Sequence, residues 1–185
     1  MQYTDWKKEY QRKIATIPSV SRHRPSSAIV TAENYFERNG FKILGPILDI
    51  GCGKGRAMCV AANYGFKKVS GIEWAEKLSC KTKQNLELIK SKFTKLESSV
   101  ITGDAALFDI PNDTDCIFLF NPFDEYIMEK VVTNIFKSIV KHPRTLHVIY
   151  ANPLYKRLLL EGEFYETFHY QRYHYFEVSI LSIRH

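Results

Sequence analysis

The sequence predicts an α/β protein built on a doubly wound, mostly parallel sheet of seven strands. Helices precede the sheet and an antiparallel hairpin closes it. Three observations carry that expectation. Five short, continuously apolar runs alternate with helical periodicity, the pattern of a parallel sheet covered on both faces. The first run stops at an acidic residue and enters a glycine-rich turn, Asp49-Ile50-Gly51-Cys52-Gly53-Lys54-Gly55. Residues 164–183 are aromatic and rich in β-formers, as a terminal strand pair would be.

In chain order, residues 5–15 place Trp6, Tyr10 and Ile14 on neighbouring helical turns. Residues 16–25 hold Pro18, Pro25 and the basic run Arg22-His23-Arg24, and read as a loop. Ser26 or Ser27 would cap a second helix over 27–39, which Asn39-Gly40 ends. The core then alternates. Strand 47–50 feeds a helix at 54–64. Strand 68–72 ends at Glu73, and a helix at 75–93 carries Ala75, Leu78, Leu86, Ile89 and Phe93 on its apolar face. Strand 99–102 ends at Gly103-Asp104. Strand 116–120 ends at Asn121-Pro122-Phe123, before a helix at 124–140 with Ile127, Val131, Ile135 and Ile139 at turn spacing. Strand 146–150 leads to Asn152-Pro153 and a short helix at 153–161. Segments 164–170 and 174–183 form the closing pair. One domain spans 1–185, a helical cap over 1–45 and a core over 46–185.

The 185 residues suffice for one full core. Hydrophobic residues make up 45% and charged residues 25%, an ordinary balance for a globular protein. No apolar run approaches the roughly 20 residues of a membrane helix. The polar N-terminus lacks a signal region, so a cytoplasmic protein without a membrane partner is expected. Cys52, Cys59, Cys80 and Cys116 contain no C-x-x-C pair, which argues against zinc and redox motifs. They read as reduced structural residues, with Cys52 filling the glycine turn. His169 and His174 lack companions at ligand spacing, so no metal is expected. The net charge of +6 is too dispersed to argue nucleic-acid binding alone.

The glycine spacing decides between ligands. A dinucleotide turn is G-x-G-x-x-G, and here Arg56 stands where the third glycine belongs. No Ser or Thr follows a Gly-Lys pair at phosphate-loop spacing. The acidic residue ahead of G-x-G-x-G resembles the first motif of class I S-adenosylmethionine (SAM)-dependent methyltransferases, and the resemblance spans residues 40–183. It implies the seven-stranded, Rossmann-like methyltransferase fold and SAM as cofactor. N-terminal helices in that fold often lie over the cofactor pocket.

On this resemblance, Asp49 and the Gly51-Cys52-Gly53-Lys54-Gly55 backbone would face the methionine part of SAM. The plainer role for Asp49 is to hydrogen-bond the turn. Glu73 would accept the ribose hydroxyls. Trp74 would pack on the adenine face, or would simply belong to the core. Asp104 would accept from the adenine amino group, with Ala105 presenting backbone beside it. Acidic residues after three successive strands are a stronger signal than any one alone.

Asn121-Pro122-Phe123 resembles the [Asp/Asn]-Pro-Pro-[Tyr/Phe] motif of methyltransferases that act on amino or amide nitrogens. The resemblance implies that Asn121 contacts the cofactor and orients the target nitrogen, that the backbone beside it at Pro122 helps, and that Phe123 encloses the substrate, which is catalysis by positioning. Only one proline is present and Asp124 follows, which puts adenine, cytosine or glutamine as the acceptor in doubt. The plainer alternative is that Asn121 and Asp124 cap the following helix. Arg22, His23 and Arg24 would close over the site or remain a solvated loop. Asn152-Pro153-Leu154-Tyr155 would line a substrate pocket.

The expected function is therefore SAM-dependent methyl transfer by a monomer, with nitrogen favoured as acceptor. The acceptor is a protein, a nucleic acid or a small molecule. Two alternatives stand beside it: a non-catalytic scaffold that keeps the fold, and a dinucleotide-dependent enzyme.

Overall fold

A computed structural model of the chain describes residues 25–38, 45–172 and 176–184. The expected helix at 5–15 and the Arg22-His23-Arg24 loop lie outside the described residues. Helix α1 spans Pro25–Arg38, so Pro25 falls within it rather than in the preceding loop. A proline in the first turn loses nothing, because its missing N–H would have no helical partner there.

The sheet has seven strands: β1 Ile47–Ile50, β2 Lys68–Glu73, β3 Glu97–Thr102, β4 Cys116–Phe120, β5 Leu146–Ala151, β6 Tyr165–Arg172 and β7 Phe176–Ile183. Their order is β3-β2-β1-β4-β5-β7-β6. β7 runs antiparallel to both neighbours, and the other pairings are parallel. The expected mostly parallel sheet with a closing hairpin is therefore present. β3 starts at Glu97, two residues earlier than the apolar run suggested, because Glu97 pairs with Lys68 on a largely exposed edge.

The helices are α2 Arg56–Asn63, α3 Glu76–Lys90, α4 Glu125–Lys141 and α5 Lys156–Leu160, with a 3-10 turn at Ala105–Leu107. α2, α3 and α5 are shorter than expected. Gly55 adopts a left-handed conformation ahead of α2, and Asn152-Pro153 forms a turn before α5 rather than its first residues.

Strand alternation sends side chains to two cores. Ile47, Cys116, Phe118, Ile149, Val178 and Ile180 pack under α1, α2 and α3. Leu48, Ile50, Ile117, Leu119, Val148 and Leu181 pack under α4 and α5. Helix α1 lies beside α2 and over β5 and β7. Tyr35 of α1 donates its hydroxyl to the Thr167 carbonyl at 2.9 Å and stacks on Phe168, tying the helix to the β6 edge. No helix among the described residues is long and apolar enough to cross a membrane.

Candidate functional site at the carboxyl ends of the strands

β1 delivers Asp49 to the floor of the site and passes into the glycine turn. Gly51, Gly53 and Gly55 all have positive φ, at 81°, 55° and 71°. The turn's amides are largely engaged within the protein. Gly51 N and Cys52 N donate to the Ile72 carbonyl at 2.9 and 3.0 Å, and Gly55 N donates to the Cys52 carbonyl at 2.8 Å. Gly53 N donates to Glu73 Oε2 at 2.8 Å. A phosphate-cradling turn needs such donors free for its ligand; this turn has spent them.

Glu73 ends β2. Its other oxygen, Oε1, accepts from Ala75 N at 2.9 Å. Each carboxylate oxygen thus takes one amide, and each keeps acceptor capacity for a further donor. The bonds fix the carboxylate at the wall of a cleft of about 570 Å³. That cleft joins Gly51, Glu73, Trp74, Asp104, Ala105, Pro122 and Phe123, all expected from the sequence. Trp74 is 74% exposed. Core packing does not explain it; it stands on the rim. Asp104 caps the 3-10 turn, Oδ1 accepting from Ala106 N at 2.8 Å, so its carboxylate is held in place against the cleft.

A second cleft of about 270 Å³ adjoins the first and shares Gly51 and Phe120 with it. Asp49, Cys52, Gly53, Lys54, Arg56 and Ala57 line it. Asp49 is 5% exposed. Burial, and next the charge of Glu73, push its carboxyl up to about 8. Cys52 is buried, and the same desolvation drives its thiol well above its ordinary range. It fills space under the turn, as expected, and is not a nucleophile at neutral pH.

Asn121, expected to contact the cofactor as well as the acceptor, lies apart from the other cofactor-side residues. Phe120 and Pro122 face the large cleft, whereas Asn121 lines a third pocket of about 310 Å³ with Asn152, Pro153, Leu154, Gln171, Phe176 and Glu177. Asn121 Oδ1 is buried and has no hydrogen-bond partner. Its φ is 39°, and that of Asn152 is 48°. Left-handed backbone is unusual for a residue before proline, which is pushed towards extended conformations. The cap of α4 is Asp124, whose Oδ1 accepts from Ile127 N at 3.0 Å. The capping role expected as an alternative for both residues is thus filled by Asp124 alone.

Three residues that sequence reasoning missed come from α3. Thr82 Oγ1 donates to the Gly53 carbonyl at 2.7 Å, and Asn85 Nδ2 donates to the Lys54 carbonyl at 2.9 Å. Ser79 Oγ shares a hydrogen with Thr102 Oγ1 at 2.7 Å. Positions 79, 82 and 85 are buried and share a helix face. A polar stripe on an otherwise apolar face was the available signal. Among the described residues no group of His, Cys, Asp and Glu could hold a metal.

No protein-family model matches the sequence, and no curated protein matches it. Solved structures do match. A magnesium protoporphyrin IX methyltransferase from Synechocystis PCC 6803, with bound S-adenosylhomocysteine, aligns at a TM-score of 0.61 and 14% identity, over 97% of this chain and 94% of its own. The ribosomal protein L11 methylase of Lactobacillus delbrueckii subsp. bulgaricus aligns at 0.59 and 17% identity, over 83% and 77%. The glycopeptide N-methyltransferase MtfA aligns at 0.59 and 12% identity, over 84% and 95%. The chain has the seven-stranded class I methyltransferase fold.

Proposed function

We propose that this chain is a SAM-dependent methyltransferase and that nitrogen is its acceptor atom. The observation that carries the cofactor is the acidic lining of the two adjoining clefts. Asp49, Glu73 and Asp104 line them, while the glycine turn has four of its amides engaged internally. Such a lining disfavours a pyrophosphate and favours a cofactor that carries a sulfonium and an ammonium. The residues fit the group. Glu73 keeps one acceptor position on each oxygen for two ribose hydroxyls. Trp74 offers an aromatic face at the rim for the adenine, and Asp104 a fixed acceptor. Asp49 matches the ammonium, and Lys54 and Arg56 of the same cleft suit the carboxylate. A Cβ built at Gly53 meets nothing within 4 Å, so a ligand can lie against that backbone.

Bound SAM supplies an activated methyl group on a sulfonium. The chain's own contribution is positioning. Asn121 Oδ1 is an acceptor waiting for a donor, and an N–H of the acceptor molecule entering the third pocket satisfies it. Pro122 and Phe123, which follow Asn121 in the chain, line the cofactor cleft. No acid or base is required to activate the leaving group, because a sulfonium leaves as a neutral thioether.

The sheet order also bears on the dinucleotide alternative. A dinucleotide fold has six parallel strands in the order 3-2-1-4-5-6; here an antiparallel β7 sits between β5 and β6. Calorimetric titration with SAM and S-adenosylhomocysteine tests the reading, with Glu73→Gln as the variant. Micromolar binding that weakens at least tenfold in the variant supports it. Absence of binding to either ligand, with tight binding of NAD, overturns it.

A further inference from the structure

We infer that Lys67, Lys92 and Lys95 form a second binding site, for the phosphate groups of nucleotides, either free or joined in a single nucleic-acid strand. The three lysines line one pocket of about 260 Å³ with Ala62, Phe66, Phe93 and Leu96. The pocket lies at the amino ends of β2 and β3. Its distance from the catalytic clefts is the length of those six-residue strands, roughly 20 Å.

Two neighbouring lysines are paired, and among the described residues these three are not. Lys68 bonds Asp113 and Lys90 bonds Glu87. Lys67, Lys92 and Lys95 are exposed and make no ion pair among the described residues.

A plainer reason for lysines here is the pair of helix C-termini, since α2 ends at Asn63 and α3 at Lys90. Each C-terminus carries about half a negative charge. Two of them offset about one ammonium group, and Lys90 already stands in the last turn of α3. The three pocket lysines therefore exceed what the helix ends call for.

The floor of the pocket is apolar. Phe66, Ala62 and Leu96 are buried, and Phe93 is half-buried. An inorganic anion has no use for such a floor, whereas a nucleotide presents a flat base beside its phosphate. Phe66 is closed off in the core, so Phe93 is the ring that keeps open area for a base; aromatic contact with a base, flanked by ammonium groups on the backbone, is the usual construction of a strand-binding groove.

The test is fluorescence anisotropy with a labelled single-stranded oligonucleotide of about 12 nucleotides, with adenosine monophosphate as competitor. The wild-type chain is expected to bind with a salt slope near −2, since three phosphate contacts release counterions at about 0.7 each on a single strand. The triple variant K67A/K92A/K95A should bind at least tenfold more weakly and lose most of that slope. K77A/K83A/K137A, which removes three exposed lysines elsewhere, should bind as the wild type does. Circular dichroism and an unchanged SAM titration show that both variants are folded. Competition by the mononucleotide at comparable concentration assigns the site to free nucleotides; failure to compete assigns it to a strand. Equal weakening in the two triple variants, or no binding of either probe by the wild type, overturns the proposal. Because SAM titration is read separately, this outcome is independent of the methyltransferase reading.

Discussion

The hydroxyl of Thr82 donates to the carbonyl of Gly53 at 2.7 Å, so helix α3 holds the glycine turn from behind. The same hydroxyl also reaches the Leu78 carbonyl of its own helix at 3.1 Å. Thr82→Val keeps the side-chain shape and deletes the bond. It should cost about 1 kcal/mol in urea unfolding and weaken SAM binding several-fold through a loosened turn. Thr82→Ser keeps the hydroxyl and should retain most of the affinity. Equal SAM affinity in all three proteins would show that the turn needs no support from α3.

The glycines of the turn should separate by role. A Cβ at Gly55 would lie 2.4 Å from Thr82 Cγ2, and the φ of 71° is itself unfavourable for alanine. Gly55→Ala should therefore destabilise by at least about 2 kcal/mol. Gly53 has a positive φ but open space around it. Gly53→Ala should cost only about 1 kcal/mol and yet weaken SAM binding, because the methyl group takes the place of the ligand. Urea midpoints and calorimetry measure the two effects separately. If Gly53→Ala bound SAM normally, the ligand would not approach that face.

Asp49 gives the protein a pH dependence whose sign is fixed by its direction of shift. Its folded carboxyl titrates near 8, while an unfolded aspartate titrates near 3.9. Between these values the folded chain holds a proton that the unfolded chain has released. Stability must then fall as pH rises from about 4 through about 8, by up to about 1.4 kcal/mol per pH unit. Asp49→Asn should remove that slope and be the more stable protein at pH 8. SAM binding should show the opposite sign in the wild type, strengthening up to about pH 8 as the carboxylate forms beside the ammonium. A flat stability profile between pH 5 and pH 8 would refute a buried protonated Asp49.

Much of this was legible in the sequence, and the reasons for the gaps are local. Leu48, Ile117 and Val148 sit in apolar runs, so their strands were plain, and Glu73 and Asp104 stood visibly at strand ends. Trp74 could not be assigned, because an indole reads equally as core or as rim until its 74% exposure is known. Thr82 and Asn85 were hidden because their partners, Gly53 and Lys54, lie 29 and 31 residues away. The start of β3 was missed because an edge strand carries polar residues such as Glu97 and Ser98. Asn121 and Asp124 both precede α4, and composition does not say which of two polar residues three positions apart bonds the helix.

That last ambiguity yields the sharpest mutational contrast. Asp124 accepts from Ile127 N, whereas Asn121 Oδ1 is buried without a partner and its backbone is left-handed. Asp124→Ala should lose about 1 kcal/mol of stability and leave methyl transfer nearly intact. Asn121→Ala removes an orphaned acceptor, so its stability should stay within about 1 kcal/mol of the wild type. Its SAM affinity should also persist, because Asn121 lines the third pocket and not the cofactor clefts. Turnover should nevertheless drop by about a hundredfold or more, measured as S-adenosylhomocysteine release with an acceptor found by screening. Asn121→Asp should retain some turnover, since a carboxylate oxygen still accepts from the target N–H. If Asn121→Ala instead lost stability and kept turnover, the side chain would be structural, and the acceptor would have to be positioned by Asn152 or Gln171 on the other walls of the same pocket.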